Sequence, residues 1–372
     1  GDSSAVQNQL RSVLQIQGTG GAFAAILSDG SVVTWGSPQN GGESSAVQNQ
    51  LRSVQRVQAT LSAFAAILSD GSVIAWGAPD FGGDSSAVQN QLRSVLQIQG
   101  TGGAFAAILS DGSVVTWGNP ECGGDSFAVQ NQLRNVLLVQ DRLRNVHQIQ
   151  ATWSAFAALL SDGSIVTWGC ADYGGDSSAV QHQLKNVQQL QATMYAFAAI
   201  LSDGSVVTWG CADHGGDSSS VQDQLKNVEQ VQAIWYAFAA ILADGSVVTW
   251  GDRGHGGDSS SVQDQLKNVQ QICGTQSAFA AILADGSVAT WGGVNCGGGS
   301  STVQDKLKNV QRICGTESAF AAILADGAVV TWGQPHFGGD CTAVQDQLRN
   351  VQQICSTRHA FAAILADGTV VA

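Results

Sequence analysis

The chain has 372 residues, 44% of them hydrophobic, with 45 Gly and only 4 Pro; that is enough apolar material for a real core, which excludes a disordered chain. Its net charge is −13, and the basic residues are mostly spread one per repeat, at Arg11, Arg52, Arg93, Arg134, Lys185, Lys226, Lys267, Lys308 and Arg349. A phosphate backbone needs clustered Lys and Arg, so no nucleic acid is expected as a partner. The chain lacks an uninterrupted apolar run on the order of 18 residues, so no membrane span is expected, and the polar start "GDSSAVQNQL" is no signal peptide.

In chain order, one unit repeats. The Trp of a Trp-Gly pair recurs at 35, 76, 117, 168, 209, 250, 291 and 332. The spacing is 41 residues, except 51 between Trp117 and Trp168. An Ala-Phe pair gives nine copies, from Phe23 to Phe361. The extra ten residues look like a local duplication within 129–148.

Each unit opens with a short, β-branched, partly alternating stretch such as "NVQQIQAT", expected as strand A. "SAFAAIL" follows, a continuous apolar run that suits a strand buried on both faces, strand B. Asp-Gly between two apolar runs signals a tight hairpin, expected as a type I′ turn with positive φ at both central residues. "SVVTWG" is strand C. A four-residue loop leads to "GGDSSAVQDQLKN". There Val180, Leu184 and Val187 have helical spacing, and "SAVQ" fits a capping box; alternate residues also fit an outer strand. A short helix or irregular outer segment is favoured.

Three antiparallel strands plus an outer element, repeating at about 40 residues, indicate a β-propeller blade. The expected fold is all-β: a closed propeller of nine blades forming a single domain over 1–372. The N-terminal segment would complete the last blade and close the ring.

The unit "IxxTxxAFAAILxDGSVVTWG" resembles the regulator of chromosome condensation repeat family. The likeness rests on the Asp-Gly…Trp-Gly core in register across the units. Two family features are absent: its His is replaced by Ala-Phe, and its Gly-Gln-Leu-Gly turn by "GGDSS". The resemblance implies a propeller, usually of seven blades. It also implies, by analogy, regulation of a small GTPase or of a ubiquitin pathway.

Comparing the units with one another exposes two variable windows. The first lies between strands A and B: "GG" 20–21, "LS" 61–62, "GG" 102–103, "WS" 153–154, "MY" 194–195, "WY" 235–236, "QS" 276–277, "ES" 317–318 and "RH" 358–359. The second follows the Trp-Gly pair and includes "CADY", "CADH" and "DRGH". Strand directions put both windows at one end of a blade, where binding loops concentrate. The candidate partner-binding residues are Trp153, Tyr173, Met194, Tyr195, His214, Trp235, Tyr236 and His255. Trp, Tyr and Met in adjacent loops resemble a protein-interface hot spot. The competing reading is that these rings shield the top of the core.

Other chemistry is weaker. The Asp of each Asp-Gly turn is explained by turn formation. The six His lack metal-ligand spacing, so no metal or cofactor is expected. There is no G-x-S-x-G elbow, no HExxH and no phosphate loop, so no enzyme is expected. Eight Cys without a CxxC pair, three of them replacing Gln at one repeat position, suggest free thiols and a cytoplasmic or nuclear setting. The expected function is a monomeric, non-enzymatic protein-binding scaffold. The alternatives are the small-GTPase or ubiquitin regulator and a recently amplified or engineered propeller without an evolved partner.

Overall fold

The computed structural model describes residues 5–133 and 146–371. Most of the expected duplication within 129–148 lies outside the described residues, as do residues 1–4 of the segment expected to close the ring. The described residues form nine three-stranded antiparallel sheets, the blades of an all-β propeller repeat. Two compact units contain them, residues 1–187 and 188–372.

The first blade sets the pattern. Strand A (Val13–Gly18) pairs with strand B (Ala22–Leu27), which pairs with strand C (Val32–Gly36). Gln17 lies opposite Ala24, and Phe23 opposite Trp35. A register shift between Val13 and Gln15 recurs at the same place in later blades. Such a bulge increases local twist.

Where blades stack on it from both sides, as on Ala63–Leu68, strand B is buried on both faces, whereas Phe361–Leu365 of the last blade is mostly half-buried. In the first unit Ala22, Ala24 and Ile26 of blade 1 pack against Leu51, Val57, Phe64 and Trp76 of blade 2. The alanines make room for the next blade's rings, and Phe64 projects from the opposite face of its own strand. Phe64 and Trp76 stack with centroids 5.2 Å apart. The same small-against-large packing joins Ala196 and Ala198 to Phe238 and Trp250 in the second unit.

Indole-to-carbonyl hydrogen bonds suture consecutive blades. The Trp76 indole N–H donates to the Gly41 carbonyl of the preceding blade at 3.0 Å, and Trp291 to Gly256 at 3.0 Å. Gly41 has φ +87°, and a Cβ on it would lie 2.7 Å from Phe64. Only glycine allows that conformation and that closeness.

The Asp-Gly hairpin is not type I′. Gly30 has φ +78°, while no Asp is among the described residues with positive φ. The Gly30 N–H donates to the Leu27 carbonyl at 2.9 Å, and the Leu27 N–H to the Ser31 carbonyl at 2.9 Å. Ser28, Asp29 and Gly30 are therefore all loop, and a three-residue loop needs only its last residue left-handed. Asp29 accepts from the Ser31 N–H at 2.9 Å and the Ser31 hydroxyl at 2.6 Å. Beneath the turn, the Val54 N–H of the next blade donates to the Gly30 carbonyl at 2.8 Å.

The outer segment is mostly turns, with short 3-10 stretches such as Gln304–Lys306 and a four-residue helix at Gln130–Leu133. The capping box does not form. Gln181 instead reaches strand C, donating to the Ile165 carbonyl at 3.0 Å and accepting from the Ser177 hydroxyl at 2.7 Å. Ser177 is buried and also meets Thr167 of strand C at 3.0 Å. The Gln amide satisfies a strand carbonyl that a fourth strand would otherwise have taken.

Candidate functional site

Both variable windows lie at one end of a blade, and in most blades a Thr clips them together. Thr193 donates from its hydroxyl to the His214 carbonyl at 3.2 Å. Its oxygen also accepts from the Ala196 N–H at 2.9 Å. Thr60, Thr101 and Thr152 make the same bond to Phe81, Cys122 and Tyr173. The loop after strand C is a 3-10 turn closed by a left-handed Gly, as at Ala212–His214 with Gly215 at φ +99°.

A second device links neighbouring blades. At several blades the first residue of the A–B window donates its N–H to the corresponding carbonyl of the next blade. In the first unit Gly20 bonds Leu61, Leu61 bonds Gly102, and Gly102 bonds Trp153 at 2.7 Å. In the second unit Met194 bonds Trp235 at 3.0 Å, Gln276 bonds Glu317, and Glu317 bonds Arg358.

In the second unit the structure brings together Met194, Tyr195, His214, Trp235, Tyr236 and His255. Tyr195 stacks on His214 with centroids 4.5 Å apart, His214 lies 5.3 Å from Tyr236, and Tyr236 lies 4.9 Å from His255. The row alternates between A–B loops and post-C loops of two adjacent blades. Trp235 meets Tyr236 edge-on at 6.2 Å. All six residues are half-buried and none belongs to the buried core. Trp153 and Tyr173 belong to the first unit. Trp153 is 38% exposed, with its indole against Gly102; the Tyr173 carbonyl receives the Thr152 bond.

The histidines are anchored differently. His214 Nδ1 lies 3.1 Å from Cys211 Sγ. His255 Nδ1 lies 2.8 Å from Asp252. Blade 6 has Ile234 where other blades have the clipping Thr, and Ile234 is buried. Asp252 orders that loop instead, accepting from the Gly254 and His255 N–H groups. Burial raises the Asp252 carboxyl, but the His255 and backbone bonds outweigh it and hold it below the usual carboxylate range. No group of three metal-ligating residues occurs among the described residues.

Sequence reasoning did not single out Glu317 and Arg358. Their side chains form a two-pronged ion pair at 2.6 and 2.8 Å, with Glu317 10% exposed. The guanidinium lies 5.8 Å from the centre of the Trp235 ring. Their signal was faint: both occupy the first position of an A–B window, the position that holds Trp235.

All eight cysteines are free. Cys273, Cys314 and Cys355 occupy one register position on three successive A strands. Burial, then the neighbouring Cys314, pushes the Cys273 thiol up to about 12.

No family model matches the chain, and no curated protein matches it. Among solved structures it is similar to Prp20p of Saccharomyces cerevisiae, a protein studied for binding Gsp1p and histones. The identity is 16%, over 78% of this chain and 74% of that one, with a TM-score of 0.42. Yeast RCC1 (Prp20) bound to Kap60 is 15% identical over 87% and 79%, with a TM-score of 0.44. The computationally designed Ika8 protein is 13% identical over 87% and 96%, with a TM-score of 0.36. No helix among the described residues is long and apolar enough to cross a membrane.

Proposed function

We propose that the chain is a non-enzymatic protein-binding scaffold, a closed nine-bladed propeller that works through the A–B and post-C loop face. The observation that carries this reading is the Tyr195–His214–Tyr236–His255 row with Trp235 at its flank. These rings cover one another only partly and lie outside the buried core. Large amphipathic rings with exposed edges on a rigid base are the usual anchors of protein interfaces. Their loops are fixed by backbone bonds, so little ordering entropy is lost on binding. Free thiols support a cytoplasmic or nuclear setting, and we propose a monomer. Regulation of a small GTPase or a ubiquitin pathway rests on the repeat resemblance alone.

The test is affinity capture from the source cells, with every retained protein identified. The wild type is compared with Tyr195→Ala/Trp235→Ala/Tyr236→Ala and, separately, Trp153→Ala, each checked for native circular dichroism and melting. A partner that binds the purified wild type and is lost by the folded triple variant supports the face. Equal binding by both rejects it.

A further inference from the structure

Beside the aromatic row, an open groove of about 960 Å³ runs between the post-C loops and outer segments of the fifth and sixth blades. His214, a member of the row, lines it together with Asp213, Asp217, Asp252 and Asp258. Arg253 is the lining's arginine, and it is taken up by Asp258 at 2.9 Å. Asp252 is occupied by His255. Asp213 and Asp217 make no ion pair among the described residues, and both are exposed. The groove is therefore negative at one end of an electron-rich aromatic row. The same loop face already seats a cation on an aromatic ring, with Arg358 over Trp235.

Resting on the binding face proposed above, we infer that its partner presents an extended segment with closely spaced Lys or Arg side chains, which enters this groove. One cation would meet Asp213 and Asp217; a neighbouring one would lie beside the half-buried Tyr195–His214–Tyr236 row. Carboxylates at an open groove steer a basic segment in and fix its register. Aromatic faces hold a cation through the ring quadrupole. Two clusters a few residues apart give selectivity that net charge alone does not.

The test uses the full chain and a fluorescein-labelled peptide alternating Arg or Lys with Ser, followed by anisotropy. A glutamate counterpart is the control. The basic peptide should bind, and the acidic one should not. Asp213→Asn/Asp217→Asn should weaken binding by about fivefold or more at low salt, and the difference should shrink as salt rises. Glu229→Gln/Asp305→Asn removes the same charge from other exposed positions and should leave binding unchanged. No binding, equal binding of the acidic peptide, or equal weakening by both double variants overturns the inference. If a captured partner is lost by the Tyr195/Trp235/Tyr236 variant but no basic peptide binds, the binding face stands and the basic-segment inference falls.

Discussion

Thr193 donates its hydroxyl hydrogen to the His214 carbonyl, so a strand-end residue of the A–B loop holds the loop that carries the central imidazole of the aromatic row. Thr193→Val keeps the shape but removes both the donor to His214 and the acceptor for the Ala196 N–H. We expect a loss of about 2 kcal/mol of stability, for the lost bond and the buried N–H left unpaired. Amide exchange at His214 and Gly215 should speed up while exchange in strand B stays slow. Unchanged exchange in the loop would refute the clip.

In blade 6, which lacks that Thr, a carboxylate orders the post-C loop from within. Asp252→Ala should free the Arg253–His255 turn at a cost of about 1 kcal/mol, and Asp252→Asn should retain most of the capping. The carboxyl is held low, so its contribution is present above the usual carboxylate range and is lost as pH falls through its lowered value. A thermal melt series from neutral to acid pH, wild type against Asp252→Asn, reads this directly. Identical pH slopes would count against it.

Gly215 sits beneath the next blade's rings. A Cβ there would lie 2.6 Å from Phe238, and φ is +99°. Gly215→Ala should lower stability by about 2 kcal/mol or more. Gly254→Ala, with only the Asp252 carboxylate at 3.4 Å, should be close to neutral. Denaturation midpoints of the two variants give the comparison; similar midpoints would contradict the close-packing argument.

Cys273 is held protonated by burial and by its neighbour Cys314, to about 12 against an ordinary 9.0. A thiol whose folded value is raised stabilises the fold fully below its ordinary value. That contribution falls as pH climbs from about 9 towards about 12. Cys273→Ala should flatten this alkaline slope. In the wild type, iodoacetamide should modify exposed Cys355 first and Cys273 last, as mass spectrometry of timed digests would show.

Much of this fold was legible because the chain states it nine times. The Trp-Gly period located the blades, and the unalternating "AFAAIL" announced a strand covered on both faces. The hairpin type was not legible. Asp-Gly serves two-residue and three-residue loops alike, and only the pairing of Leu27 with Ser31 shows that Ser28 has left the strand. "SAVQ" misled for a related reason: its Gln satisfies a strand carbonyl rather than a helix end. The site was found by looking where units differ, which located the rings but hid what holds them. Thr193 barely varies and so passed for scaffold. Glu317 and Arg358 are separated by one whole repeat, and no local pattern marks two residues that meet only through the stacking of blades.

The bonds that run from one A–B window to the next are made by main-chain atoms alone. Any side chain can therefore ride on them: glycine, leucine, tryptophan, methionine, glutamine, glutamate and arginine all occupy that position in this chain. Mechanical continuity and chemical identity are separated at this rim. A new recognition surface can be written there one letter at a time while the main-chain bonds beneath it stay in place.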